Sequence, residues 1–148
     1  HHLIALAITI LEMEKYGEEF SAQIIENSNE LGKTLEDLGH EVRHAPDGSI
    51  SHTHQVHLYI DKLGDRKQLY ERLVKNNIST NFDDRIGGRL FIRLGTQEIT
   101  RRGMKKKEMI EIASLLTRTL RNDSTLEEVK AFNEKFSKIY YGFEKDML

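Results

Sequence analysis

Gly88-Arg89-Leu90-Phe91-Ile92-Arg93-Leu94-Gly95-Thr96-Gln97-Glu98-Ile99-Thr100-Arg101-Arg102-Gly103-Met104 is the stretch on which the fold turns. Leu90, Ile92 and Leu94 alternate with Phe91 and Arg93, so 89–94 reads as a strand with its aliphatic residues on one face. Gly87-Gly88 supplies a turn before it. After a polar connection over 95–103, Met104, Met109, Ile112, Leu115, Leu116 and Leu120 outline a helix. Upstream, Val56, Leu58 and Ile60 alternate with Gln55, His57 and Tyr59, a second strand with the same division of faces. Between the two strands, Asp65 is placed to cap a short helix over 66–75 carrying Leu69, Leu73 and Val74, and Ile78 to Thr80 reads as a short extended piece. Pro46-Asp47-Gly48 marks a turn ahead of the first strand.

Outward from this centre the pattern is helical. Leu3 to Met13 carries apolar residues all round the helical wheel, which predicts a buried helix covered on more than one face. A second helix is expected from Glu18 to Leu38, with Phe20, Ile24, Leu31, Leu35 and Leu38 inward and Gly39 as a left-handed stop. Asp123 or Ser124 is placed to cap a last helix bearing Leu126, Val129, Phe132 and Phe136, before an aromatic tail of Tyr140, Tyr141 and Phe143. The expected fold is α+β, a two-layer sandwich with a small mixed or antiparallel sheet and helices on one face.

Composition narrows the function. The chain has 148 residues with 22 Lys and Arg against 24 Asp and Glu, a net charge of -2, so no field of one sign draws nucleic acid or anionic lipid to it. Without cysteine there is no thiol nucleophile, disulfide or Cys-based metal site, and a reducing cytoplasm fits. The apolar run 3–11 is about half the ~20 residues of a bilayer crossing, and it lacks the basic flank of a signal peptide. No nucleic-acid or membrane partner is expected.

Several groups invite chemistry and most decline it. His52 and His54 would share a strand face, but His57 falls on the opposite one, Asp61 is distant, and His40 and His44 lie upstream, so these histidines are expected in hydrogen-bonded or exposed positions and no metal is assigned. Gly87-Gly88 beside Arg85 and Arg89 lacks both P-loop and dinucleotide spacing and reads as a turn. Asp83 and Asp84, adjacent in sequence, diverge and read as solvated loop residues. Lys105, Lys106 and Lys107 fan around a helix start and read as a solvated face. Arg93 differs: a guanidinium one residue from a strand end must find an acceptor, because an unpaired desolvated charge is costly. On its chemistry alone it reads first as half of an internal salt bridge, with Glu98 a candidate partner.

Phe91-Ile92-Arg93-Leu94-Gly95-Thr96 followed by Thr100-Arg101-Arg102-Gly103-Met104 resembles the serine hydroxymethyltransferase pattern G-[IL]-R-[ILV]-G-T, two variable residues, [TM]-[TS]-R-G-[FM]. His1-His2-Leu3-Ile4-Ala5-Leu6-Ala7 is similar to that family's H-H-I-A-A-L-A segment, the Asn27 to Gly39 helix to its N-A-x-x-L-A-x-x-L-x-x-x-G, and Glu127 to Phe136 to its closing helix. The resemblance implies the C-terminal small domain of a fold-type I pyridoxal-phosphate enzyme. Residues 1–148 would form one C-terminal domain, with 1–16 a helical remnant of the large cofactor-binding domain and 17–148 the small domain. It implies that Arg93 binds the α-carboxylate of a small, serine- or glycine-like amino acid, and it matches Asn81 to a loop asparagine. The family's Schiff-base lysine follows a T-T-H-K segment that this chain does not contain, so the resemblance implies a domain inactive alone, completed by a large domain in a homodimeric enzyme.

The chain departs from the family at Leu90-Phe91, where Ser-Gly is usual, at Gln97-Glu98, where Pro-Ala is usual, and in a shorter segment between Asn81 and Arg93. These departures count against tetrahydrofolate as co-substrate and leave room for a related retro-aldol, transaldolase or aminotransfer reaction. A free-standing α+β binding or regulatory module, and the small domain of another fold-type I aminotransferase or acyl-transferring synthase, stand as alternatives.

Overall fold

The structure, a computed structural model, describes residues 2–86 and 88–143, with side chains for all of these except 2 and 83–86. Its first element is one helix, α1, running unbroken from His2–Asp37, about 54 Å at 1.5 Å per residue. Two helices were expected over this span. Gly17 does not interrupt it, because a glycine inside a helix costs only ~1 kcal/mol and here meets nothing closer than Met13. The helix ends as the sequence predicts: Gly39 has φ +87, and the His40 amide reaches back to the Leu35 carbonyl at 3.0 Å.

The sheet has three antiparallel strands, β1 (Gln55–Tyr59), β2 (Asn81–Ile86) and β3 (Arg89–Gly95), in the order β1-β3-β2. One face carries Val56, Leu58, Ile92 and Leu94, each less than 9% exposed. Against it pack Leu31 and Leu35 of α1, Leu69 and Leu73 of α2 (Arg66–Lys75), and Met109, Ala113 and Leu116 of α4 (Lys106–Leu120). α5 (Leu126–Glu134) adds Val129 and Phe132, and α3 (Gln97–Arg101) is a short turn of helix within the expected connection. The architecture is α+β, with helices on one face of a small antiparallel sheet.

Four local expectations need correction. β2 was expected only as an extended piece at 78–80 followed by loop acids. Asp83 and Asp84 instead lie on β2, Asp83 paired with Phe91 and Asp84 in the register irregularity that follows it, because the β3 ladder extends a segment whose residues lack strand propensity. His52 and His54 sit in bends before β1 rather than along a strand. The last helix is capped at Thr125, whose hydroxyl and amide are buried against Thr119 and Asn76, while Asp123 pairs with Arg118 at 3.5 Å. Finally, the apolar N-terminal run is helical but uncovered: Leu3 is 81% exposed, Ile4 68% and Ile10 59%. The core elements gather on the C-terminal half of α1, and nothing described packs over the stripe.

Asp65 caps α2 as expected, accepting from the Gln68 amide at 3.1 Å. The core also holds His40, whose Nε2 lies 2.9 Å from the Thr117 hydroxyl while Nδ1 is buried without a partner. Burial, and then the Arg121 charge, push its pKa below the usual histidine value. The unfolded chain therefore binds this proton more readily than the folded one, so stability present above about pH 6.5 is lost as pH falls toward the depressed value. Exposed His44, raised by Glu36, acts in the opposite sense. Thermal unfolding of wild type and His40→Gln between pH 7.5 and 5 isolates the core effect: wild type should lose Tm more steeply, and parallel profiles would contradict it.

Candidate functional site

The β-ladder registers assemble the sheet's other face into rows. His57 opposes Arg93 on one side, and Asn81 opposes Arg93 on the other. Residues directly opposite in an antiparallel pair share a face, so His57, Arg93 and Asn81 form one cross-strand row on the side away from the helices. The two residues singled out by resemblance, Arg93 and Asn81, are thus immediate neighbours. Asn81 is exposed and Arg93 partly buried.

The next row places Tyr59 opposite Phe91. Phe91 is 3% exposed although it points away from the helical layer, because the His57 ring covers it at 4.8 Å between centroids. Beyond lies Arg89, over the Tyr59 ring at 3.8 Å and bonded to Glu41 and to Asp61 at 2.9 Å. Arg89 holds the Glu41 carboxyl well below the usual range, at about 2, and the Leu90 amide, followed by Arg89, holds Asp61 below its own. Arg89 is therefore a structural ion-pair centre rather than half of a phosphate cradle. Gly88, at φ +82, turns the β2–β3 hairpin; Gly87 and the Arg85 side chain lie outside the described residues.

What holds Arg93 in place is the segment after it. Thr96 is fully buried and its hydroxyl lies 3.2 Å from the carbonyls of Ile24 and His54. Thr100 donates to the Thr96 carbonyl at 2.7 Å and accepts from Asn27, which also donates to the Met104 carbonyl at 2.8 Å. Gly103 has φ +84, and a Cβ there would come within 3.1 Å of Tyr140. Arg101 reaches Glu12 at 3.0 Å, and the Arg101 carbonyl takes the amides of Tyr140 and Tyr141. The threonines, glycine and second arginine of the motif are thus a clamp joining β3 to α1 and the C-terminal tail. Glu98, the candidate partner for Arg93, is engaged by Arg102 at 2.9 Å.

The remaining histidines are used locally. His52 meets Asp47 at 2.8 Å and His44 meets Glu36 at 2.6 Å. Among the described residues no group of three or more His, Cys, Asp or Glu is placed to hold a metal, and no helix is long and apolar enough to cross a membrane. Lys106 reaches Glu26 at 3.1 Å on an exposed surface. Sequence reading placed His57 on the polar face but did not connect it with Arg93; strand alternation gives the face, and only the register gives the neighbour.

No protein-family model matches the chain. Serine hydroxymethyltransferase of Methanothermobacter marburgensis is 36% identical over 98% of the chain, and that of Methanocella arvoryzae 35% identical over 99%. Among solved structures, L-threonine transaldolase from Pseudomonas fluorescens superposes with a TM-score of 0.84 over 93% of the chain, at 28% identity. The chain is a serine hydroxymethyltransferase-like C-terminal domain. It spans about a third of the length of these relatives, 36% and 37% of the two hydroxymethyltransferases and 33% of the transaldolase. In the serine hydroxymethyltransferase-like domain, the motif on which its sequence turns is therefore both the β3 strand and the clamp that fixes it to α1.

Proposed function

We propose that this domain supplies the substrate-carboxylate arginine, Arg93, to a pyridoxal-phosphate enzyme that makes or breaks the Cα–Cβ bond of a small serine- or glycine-like amino acid. The observation that carries the reading is the row His57–Arg93–Asn81, on the helix-free face at the end of a clamped strand. A planar guanidinium there can take a carboxylate through two parallel hydrogen bonds, which fixes orientation as well as position. Orientation is the contribution: a carboxylate held bidentately sets which Cα bond is presented for cleavage. Asn81, beside it, offers an amide donor and acceptor to the same substrate.

Pyridoxal phosphate, when bound, supplies the electron sink for that cleavage. The residues described here do not form its site. Lys62, the amine at the edge of this face, is exposed and bonded to Glu41 at 3.3 Å, and the sequence offers no T-T-H-K segment. The cofactor and its lysine are assigned to a large domain, in a cytoplasmic homodimer. The uncovered stripe Leu3, Ile4, Leu6, Ile8, Ile10 and Leu11 supports such a docking surface, since an apolar patch of this kind marks contact with further protein. Tetrahydrofolate is not assigned, because the segment between Asn81 and Arg93 is a short hairpin.

Two experiments test the division of labour. The 148-residue chain, incubated with pyridoxal phosphate and borohydride, should gain no stoichiometric labelled lysine, whereas one uniquely labelled lysine would show a cofactor site here. Hydrogen exchange over residues 3–11 should be fast in this chain and strongly slowed in the complete enzyme. Equal exchange in both would favour a free-standing module.

A further inference from the structure

The N-terminal half of α1 exposes its apolar residues and buries an acid. Glu12 is 7% exposed beside Leu11 at 52%. Its cover comes from the far end of the chain. The Phe143 amide donates to Glu12 Oε1 at 3.2 Å, and a Cβ at Gly142 would come within 3.0 Å of the same oxygen, so glycine there lets the tail backbone close on the carboxylate. About two turns further along α1, the Tyr141 ring packs on Phe20 at 5.1 Å and its hydroxyl donates to Glu19 at 3.1 Å. Glu12, Glu19 and Phe20 share one face of the helix.

A carboxylate this buried is costly unless it is paired. Arg101 pairs it, donating from Nη2 to Glu12 Oε2 at 3.0 Å, and the Arg101 carbonyl takes the tail amides of Tyr140 and Tyr141. Arg101 Nε is buried without a partner, so among the described residues Glu12 is the carboxylate that offsets this guanidinium.

The pair also has a place in the geometry of the site. Arg101 closes α3, whose N-cap is Thr96, the residue after β3. The Thr96 hydroxyl reaches α1 at the Ile24 carbonyl, and Arg101 reaches it at Glu12. These two attachments stand about 18 Å apart along the helix axis. The first fixes where β3 sits on α1, and the second fixes the direction of the helix relative to β3. Glu12 lies within 1–16, the stretch assigned to the large domain, and Arg101 within the small domain. The ion pair therefore crosses the boundary between the part that carries Arg93 and the part assigned to the cofactor.

We propose that Glu12, acting through Arg101, is a positioning residue for Arg93: it locks the small domain to the docking half of α1 and so sets where the guanidinium meets the substrate carboxylate. A binding constellation must be held to within about 0.5 Å, and a displacement of about 1 Å costs on the order of 100-fold. This rests on the carboxylate reading of Arg93, and the test separates the two.

In the complete enzyme, Glu12→Gln keeps the shape of the side chain and removes its charge. It should lower kcat/KM for L-serine about tenfold, a part of the cost of a full displacement, and leave L-serinamide within about twofold, since the amide makes no carboxylate contact to misplace. Added to Arg93→Gln, it should lower serine turnover no further, because residues acting through one another are not additive. Circular dichroism shows whether Glu12→Gln is folded; if it is not, Arg101→Lys, which keeps a charge opposite Glu12, takes its place with the same selective loss expected. An equal loss for both substrates, a loss that adds to that of Arg93→Gln, or no loss at all in the folded variant would overturn the proposal. If Arg93→Gln alone lowers serine and serinamide equally, it is the Arg93 reading that fails.

Discussion

Replacing Arg93 by lysine in the complete enzyme is expected to raise the amino-acid KM by about 30-fold to several thousand-fold, equivalent to ~2–5 kcal/mol. Lysine keeps the charge, so internal electrostatics on the polar face are disturbed little. It loses the planar fork, and a point ammonium on a flexible stem cannot hold a carboxylate through two parallel bonds. The strand position makes this loss hard to repair. β3 is pinned by the buried Thr96 and Thr100 hydroxyls and by Asn27, so the backbone cannot shift to bring a shorter donor set forward. Initial-rate kinetics over a wide substrate range decide the matter, and an unchanged KM would sink the carboxylate role.

The second large effect is on stability. Asn27→Leu should destabilise the chain by about 2–4 kcal/mol, lowering Tm by roughly 5–15 °C at the sensitivity usual for this size. Asn27 is fully buried and donates at 2.8 Å to both Thr100 Oγ1 and the Met104 carbonyl. Leucine fills a similar volume but leaves those acceptors facing an apolar group, and a buried carbonyl without a donor keeps its full desolvation cost. The same substitution loosens the anchor of β3, so a weakened substrate affinity should accompany the lower Tm. Thermal unfolding followed by circular dichroism measures the first effect, and a variant as stable as wild type would show that the clamp does not hold the fold.

Much of this was legible in the sequence and some was not, for identifiable reasons. The alternation at 55–60 and 89–94 yields β1 and β3 with the correct inward faces, because a period of two is a direct imprint of a half-buried strand. β2 reads poorly: Asn81-Phe82-Asp83-Asp84-Arg85-Ile86 is rich in residues depleted from strands, and it is extended because β3 offers it a ladder. The pairing is made across a hairpin whose local signal lies in the Gly87-Gly88 turn and not in the residues of β2 itself. It is also what brings Asn81 to Arg93, so the resemblance pointed to the two residues while their juxtaposition was not readable from the sequence. The charge of Arg93 demanded an acceptor and the resemblance named one. That His57 stands beside it depends on the register of the β1–β3 ladder. In the N-terminal run the sequence was right about helix and wrong about cover, since hydropathy reports that a surface wants burial but not whether the burying partner lies in the same stretch of chain.

The most direct test of the central claim is a double comparison in the complete enzyme: kcat/KM for L-serine and for L-serinamide, with wild type and with Arg93→Gln. The amide lacks the carboxylate and otherwise matches L-serine, the kind of substrate proposed above. If Arg93 binds that carboxylate, wild type prefers serine strongly, the variant loses most of the preference, and turnover of serinamide changes little between the two proteins. An equal fold-loss for both substrates in Arg93→Gln would place Arg93 in the scaffold rather than on the substrate.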